Sequence, residues 1–233
     1  KCIRERVMMK YLRKLSAGLI AAAISSQAFP NVILDFEGPL PNSLVATSFW
    51  QGADVPGSAK VIDQYLSYGI VMSDAALVAG GVGHSASGTN SLAGIDGNGK
   101  VNYDAPVTFT FYQPGNLGVK GTTEYFAYRP DLGGGSQNLI TISAFDLNDL
   151  LVGQATYLET GTFSTPLFIS GVGQFHKVTV DQTLYDTYSG GIMLDMVEFG
   201  DISASTVPEP SSIALAVLGL LAIRTKRKIR TSA

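Results

Sequence analysis

Between residues 29 and 207, apolar and polar side chains alternate with a period of two in three runs: Val107-Thr-Phe109-Thr-Phe111, Leu139-Ile140-Thr-Ile142-Ser-Ala144 and Lys177-Val178-Thr-Val180. That period belongs to a half-buried strand, and no helical stripe of similar length competes with it. Further runs at 32–36, 68–72, 125–128, 150–156 and 192–199 are set apart by Gly, Pro, Asn and Asp clusters that punctuate turns. Gly80-Gly81-Val-Gly83, Asp96-Gly-Asn98-Gly99 and Gly133-Gly-Gly135 read as loops within one body, because strand signals resume on each side. The pattern predicts an all-β fold, a jelly-roll-like antiparallel β-sandwich of two packed sheets, without internal repeats.

At both ends the pattern changes. Met8-Met9-Lys10-Tyr11-Leu12-Arg13-Lys14 is a basic segment, Leu15 to Ile24 is apolar, and Ser26-Gln27-Ala28 is a small-x-small site. Together they predict a secretory signal, cut to leave Phe29 first, with translation starting at Met8 or Met9. Ile213 to Ile223 is apolar throughout and gives way to the basic residues Arg224, Lys226, Arg227 and Lys228. As a helix from Ser211 to Ile223 it would measure roughly 20 Å, against a hydrocarbon core of about 30 Å. The basic cluster is expected on the cytoplasmic side and the body on the other. Pro208 and Pro210 hold the strip before the apolar run extended, so the helix begins no earlier than Ser211. The division expected is 1–28 for upstream residues and signal, 29–203 for the sandwich, and 204–233 for motif, transmembrane helix and basic tail.

The ordered combination of Pro208-Glu209-Pro210, small residues, apolar run and Arg/Lys tail resembles the PEP-CTERM sorting domain of Gram-negative exopolysaccharide producers. The resemblance implies recognition by an exosortase, a membrane peptidase of the cysteine type. Removal of the helix and delivery to the cell envelope, surface or extracellular matrix would follow. The body also resembles a recurrent bacterial exported domain, through Leu34-Asp35-Phe36-Glu37-Gly38, Asp63-Gln64-Tyr65, Tyr68 to Met72, Phe145-Asp146, and Ile192 to Val197. That likeness supports one sandwich and implies no activity.

Charge narrows the partners. The whole chain carries a formal net charge of -3, but most cations sit at the two ends. From 29 to 207 only Lys60, Lys100, Lys120, Arg129 and Lys177 oppose 17 carboxylates, a formal -12. Such a body repels phosphate backbones, which excludes nucleic acid and leaves cations and uncharged glycans open. The single cysteine, Cys2, precedes the signal, so the body has no disulfide.

Phe36-Glu37 and Asp195 resemble the pair that holds a structural calcium ion in carbohydrate-binding jelly rolls, where the first and last strands adjoin. Glu37 and Asp195 are therefore the candidate metal ligands; no cofactor is required. Met193-Leu-Asp195-Met-Val-Glu198 is similar to the Glu-x-Asp-x-x-Glu strand of a retaining β-glucanase family, but Met193 stands where the nucleophile belongs, so no catalytic residue is assigned. His84-Ser85 lacks the helix of a nucleophile elbow, and His176 shares a strand pattern with Val178 and Val180. Asp96-Gly-Asn98-Gly-Lys100 reads as a turn because Lys100 replaces a calcium ligand. Trp50, with Phe49 and the tyrosines at 65, 68, 125, 128, 185 and 188, is a candidate sugar-stacking set. The chain is expected to be a non-catalytic, sorted sandwich associated with extracellular polysaccharide. A glycan-active enzyme on the same scaffold and a structural adhesin are the alternatives.

Overall fold

The computed structural model describes residues 31–38, 40–41, 44–79, 86–132, 138–159, 165–184 and 192–205. The signal segment, the sorting tail from 206 onward, His84-Ser85, Tyr185 and Tyr188 lie outside the described residues. Among the described residues there are fourteen strands: β1 (Val32–Leu34), β2 (Thr47–Ser48), β3 (Lys60–Val61), β4 (Ile70–Ser73), β5 (Ala75–Ala79), β6 (Asn90–Gly94), β7 (Val107–Gln113), β8 (Asn116–Leu132), β9 (Asn138–Phe145), β10 (Leu151–Glu159), β11 (Leu167–Phe175), β12 (Lys177–Leu184), β13 (Ile192–Phe199) and β14 (Ser203–Ala204). Short 3₁₀ turns occur at Gly57–Ala59 and Leu66–Tyr68. Among the described residues, no helix is long and apolar enough to cross a membrane.

One layer runs β4-β7-β12-β9-β10 and the other β11-β8-β13-β6-β5, the two joined through the β7–β8 hairpin. β1 lies against β13, β14 against β8, and β2 and β3 against β5; every pairing but β2 with β5 is antiparallel. β14 pairs Ser203 and Ala204 with Thr122 and Gly121 of β8.

Alternation explains the first layer. In β7, Val107, Phe109 and Phe111 are buried while Thr108 and Thr110 face outward; Ile140, Ile142, Ala144, Val178 and Val180 repeat the arrangement in β9 and β12. The facing layer supplies Phe126, Tyr128, Leu167, Ile169, Phe175, Val197 and Phe199. Phe109 meets Phe126 with ring centroids 4.9 Å apart, and Phe111 meets Phe199 at 5.6 Å. Each such ring or branched aliphatic removed from water contributes about 1.5–3 kcal/mol.

β5 and β6 are buried on both faces. Leu77 and Leu92 enter the main core, while Ala76, Val78 and Ala93 pack under Val55, Ala59, Val101 and Tyr103 in a second cluster. A bulge interrupts β13 between Asp195 and Glu198, with Met196 at φ 47°. It sends Met193 to the second cluster and returns Val197 and Phe199 to the main core.

Candidate functional site

Glu37 and Asp195, far apart in sequence, hold the same short segment. β1 ends at Leu34, and the buried Phe36 adopts φ 58° with its ring edge-on to Tyr65 at 5.5 Å, which turns Glu37 toward residues 87–90. Glu37 Oε1 accepts the backbone N–H groups of Thr89 and Asn90, each at 2.5 Å, and Oε2 accepts the Thr89 hydroxyl at 3.2 Å. Asp195 is wholly buried. Its Oδ2 accepts Ser87 N–H at 2.7 Å, and its Oδ1 accepts Met196 N–H at 2.6 Å. The Ser87 hydroxyl lies 3.0 Å from Asp195 Oδ1 and 2.8 Å from the Asp35 carbonyl, so its single proton is shared between two acceptors. Asn90 closes the arrangement by donating its amide to the Phe36 carbonyl at 3.0 Å.

Glu37 and Asp195, the two residues expected as metal ligands, thus both accept hydrogen bonds from residues 87–90. Every carboxylate oxygen of the pair already accepts a hydrogen bond. No group of three or more Asp, Glu, His or Cys side chains gathers among the described residues.

The other sequence candidates scatter. Met193 is buried in the second cluster, and Glu198 accepts the side-chain amide of Asn31. His176 is 4% exposed at the bend between β11 and β12, with Nδ1 2.8 Å from the Gly121 carbonyl. Burial pushes its pKa below the usual histidine value, partly offset by that carbonyl. Asp96 Oδ1 accepts the N–H groups of Asn98 and Lys100, and Lys100 pairs with Asp54 at 2.8 Å, so this segment forms a turn. Of the aromatic set, Tyr65 and Tyr128 are buried, Trp50 is 69% exposed and stacked on Phe49, and Tyr68 is 49% exposed.

Two clefts bring together residues that the linear pattern does not connect. The larger, about 400 Å³, is lined by Asn31, Glu124, Tyr125, Gln174 and Asp201 with the hydroxyls of β8 and Ser203. Within it the Thr122 hydroxyl donates to Gln174 Oε1 at 3.0 Å, fixing that amide. Tyr125 is half-buried, and desolvation first, then the charge of Glu198, raises its pKa. The smaller cleft, about 260 Å³, is lined by β1, Gly38, Leu40, Pro41 and the 3₁₀ turn, with Asp35, Tyr65, Ser67 and Tyr68. Each draws on several separate segments, so only the adjacency of Glu124 and Tyr125 offered a sequence signal for the first.

Residues 206–228 match a family model described as the PEP-CTERM protein-sorting motif. No curated protein matches the chain. Among solved structures it is similar to an isomalto-dextranase complexed with panose from Arthrobacter globiformis T6, at 16% identity and TM-score 0.35, over 73% of this chain and 32% of that one. It therefore spans about a third of that enzyme's length. A DUF4465 family protein from Bacteroides caccae ATCC 43185 aligns at 12% identity and TM-score 0.40, over 74% of this chain and all of the other. The enzymatically active domain of tailspike protein 4 of Bacteriophage CBA120 aligns at 13% identity and TM-score 0.28, over 56% of this chain and 17% of that one. None of the three fixes a function for this chain.

Proposed function

We propose that this exported protein, whose PEP-CTERM motif marks it for exosortase recognition and sorting to the cell envelope surface, binds extracellular polysaccharide without cleaving it. The larger cleft carries the reading. Sugars present closely spaced hydroxyls that both donate and accept. The wall offers the amides of Asn31 and Gln174, which do both, and the carboxylates of Glu124 and Asp201, which accept. The Tyr125 ring beside them supplies an apolar surface of the kind that covers sugar C–H groups. Among the described residues the lining holds no Lys or Arg, which favours glycans without carboxylates. The setting is the envelope or matrix of a Gram-negative cell, with the chain tethered to the membrane by its C-terminal run until processing.

The purified full-length chain should bind at least one bacterial exopolysaccharide on a glycan array and release no new reducing ends. Tyr125→Ala and Gln174→Ala should each weaken that binding about tenfold, equivalent to about 1.4 kcal/mol. Binding that ignores both variants, or no binding at all, would remove the cleft from the proposal. Released product would replace it with an enzyme.

A further inference from the structure

The smaller cleft contains a polar group that the folded chain leaves unanswered. Tyr65 is 6% exposed, and its hydroxyl, shielded from water, has no hydrogen-bond partner among the described residues. Buried hydroxyls are paired in most proteins, so an orphan beside a cleft points to a group that arrives from outside. Its neighbours define that group. Tyr68, with half of its surface open, places its ring centroid 6.5 Å from that of Tyr65 at a 39° tilt. Asp35 shares the lining, and its carboxylate accepts the Glu37 N–H on Oδ1 at 3.2 Å. Among the described residues, the lining contains no Lys, Arg or His.

The electrostatics select a cation. Burial first, and then the charge of Asp35, push the Tyr65 hydroxyl up to about 12, so the phenol stays neutral and the cleft's charge is the carboxylate's alone. A carboxylate beside an open aromatic face attracts an ammonium group by direct charge and by the ring quadrupole. The surrounding body, formally -12, adds a long-range field of the same sign. Ser67 and the Tyr65 hydroxyl supply hydrogen bonds for the hydroxyls of a ring that carries such a group.

We infer that this cleft binds a sugar residue bearing a protonated amino group, with Asp35 as counter-ion and Tyr68 under the ring. The inference rests on the polysaccharide reading only in taking the ligand to be a glycan; its own claim is a preference for free amine over N-acetyl. The larger cleft, with no comparable orphan group, is expected to be indifferent to that difference.

Calorimetry on the full-length chain at pH 6 compares a glucosamine tetrasaccharide, its fully N-acetylated counterpart and a glucose tetrasaccharide. The amine form should bind at least tenfold more tightly than the other two. Asp35→Asn should erase that preference while the melting temperature holds, and Tyr68→Ala should weaken the amine form about tenfold. Tyr125→Ala, in the larger cleft, should lower neutral-glycan binding and leave the amine preference in place, which separates failure of the general reading from failure of this one. Equal binding of amine and acetylated forms, or no binding of the amine form, would overturn the assignment. So would a preference that survives Asp35→Asn, because one charge removed from 17 barely changes a diffuse attraction of a polycation.

Discussion

Asp195 is wholly buried, with Oδ1 and Oδ2 both taken up by donors from Ser87 and Met196. Removing the carboxylate takes the acceptor from the Ser87 and Met196 N–H groups, while the Ser87 hydroxyl keeps the Asp35 carbonyl, and each unsatisfied donor costs about 1–3 kcal/mol. Asp195→Ala is therefore expected to lower the unfolding free energy by about 3 kcal/mol, and Asp195→Asn, which keeps one acceptor, by about half as much. Gly88→Ala tests the same grip from the other side: a Cβ there would stand 2.6 Å from Glu37 Cδ and 2.8 and 2.9 Å from its oxygens, and should cost about 1–3 kcal/mol. Urea titration with an unchanged m-value reads all three; losses below about 0.5 kcal/mol would show that the segment is not held by these carboxylates. The two acids stood out in the sequence through their buried neighbours, Phe36 before Glu37 and Leu194 and Val197 around Asp195, which lies within β13. Their partner was not, since Ser87-Gly88-Thr89-Asn90 has the composition of any loop and only the fold supplies the acceptors. Tyr65 was equally hidden: its orphan hydroxyl depends on what surrounds it in space.

Elements with one face buried announced themselves, and β7, β9 and β12 begin where alternation begins. β5 and β6 did not, because Ala75–Ala79 is covered on both faces and shows no alternation to read. β8 was recognised only around Tyr125–Tyr128, although it runs from Asn116 to Leu132, since Gly118, Gly121 and the polar run Thr122-Thr123-Glu124 break the pattern in its first half. Gly121 has a packing reason that the sequence does not show: with Gly69 it forms the slot that the Ile202 side chain fills, leaving no room for a Cβ at either position. The same region holds His176, whose element-level role gives a pH prediction. Burial lowers its folded-state pKa, Lys120 adds to that effect, and the Gly121 carbonyl and Asp149 oppose it. A depressed histidine favours the neutral native form, so its contribution is complete above the unfolded pKa of about 6.5 and declines as pH falls below it toward the folded value. His176→Gln should show a shallower loss of stability than the wild-type chain between pH 6.5 and 5 in parallel urea titrations. Identical slopes would mean that carboxylates alone set the acid limit.

Over the whole molecule, charge and covalent reach agree on how the body and its address are joined. Both basic ends flank an acidic body, so the strongly cationic segments are the expected secretion signal and the tail of the sorting motif. β14 zips against β8, and the Ser205 N–H donates to the Lys120 carbonyl at 2.8 Å, only three residues before Pro208. Three extended residues reach at most about 11 Å, so a peptidase engaging the motif works close to the folded body. Every described ladder nonetheless ends before the motif, and a cut at or after Pro208 breaks none of them. Two outcomes follow from that placement. Surface-released protein should have an intact mass that excludes Arg224 to Ala233, and its melting temperature should match that of the uncleaved chain within about 1 °C, since a shift of that size corresponds to well under 1 kcal/mol. A released mass that still includes the basic tail would mean the motif directs sorting without cleavage. A lower melting temperature after release would mean that residues beyond Ser205 contribute to the fold of the body.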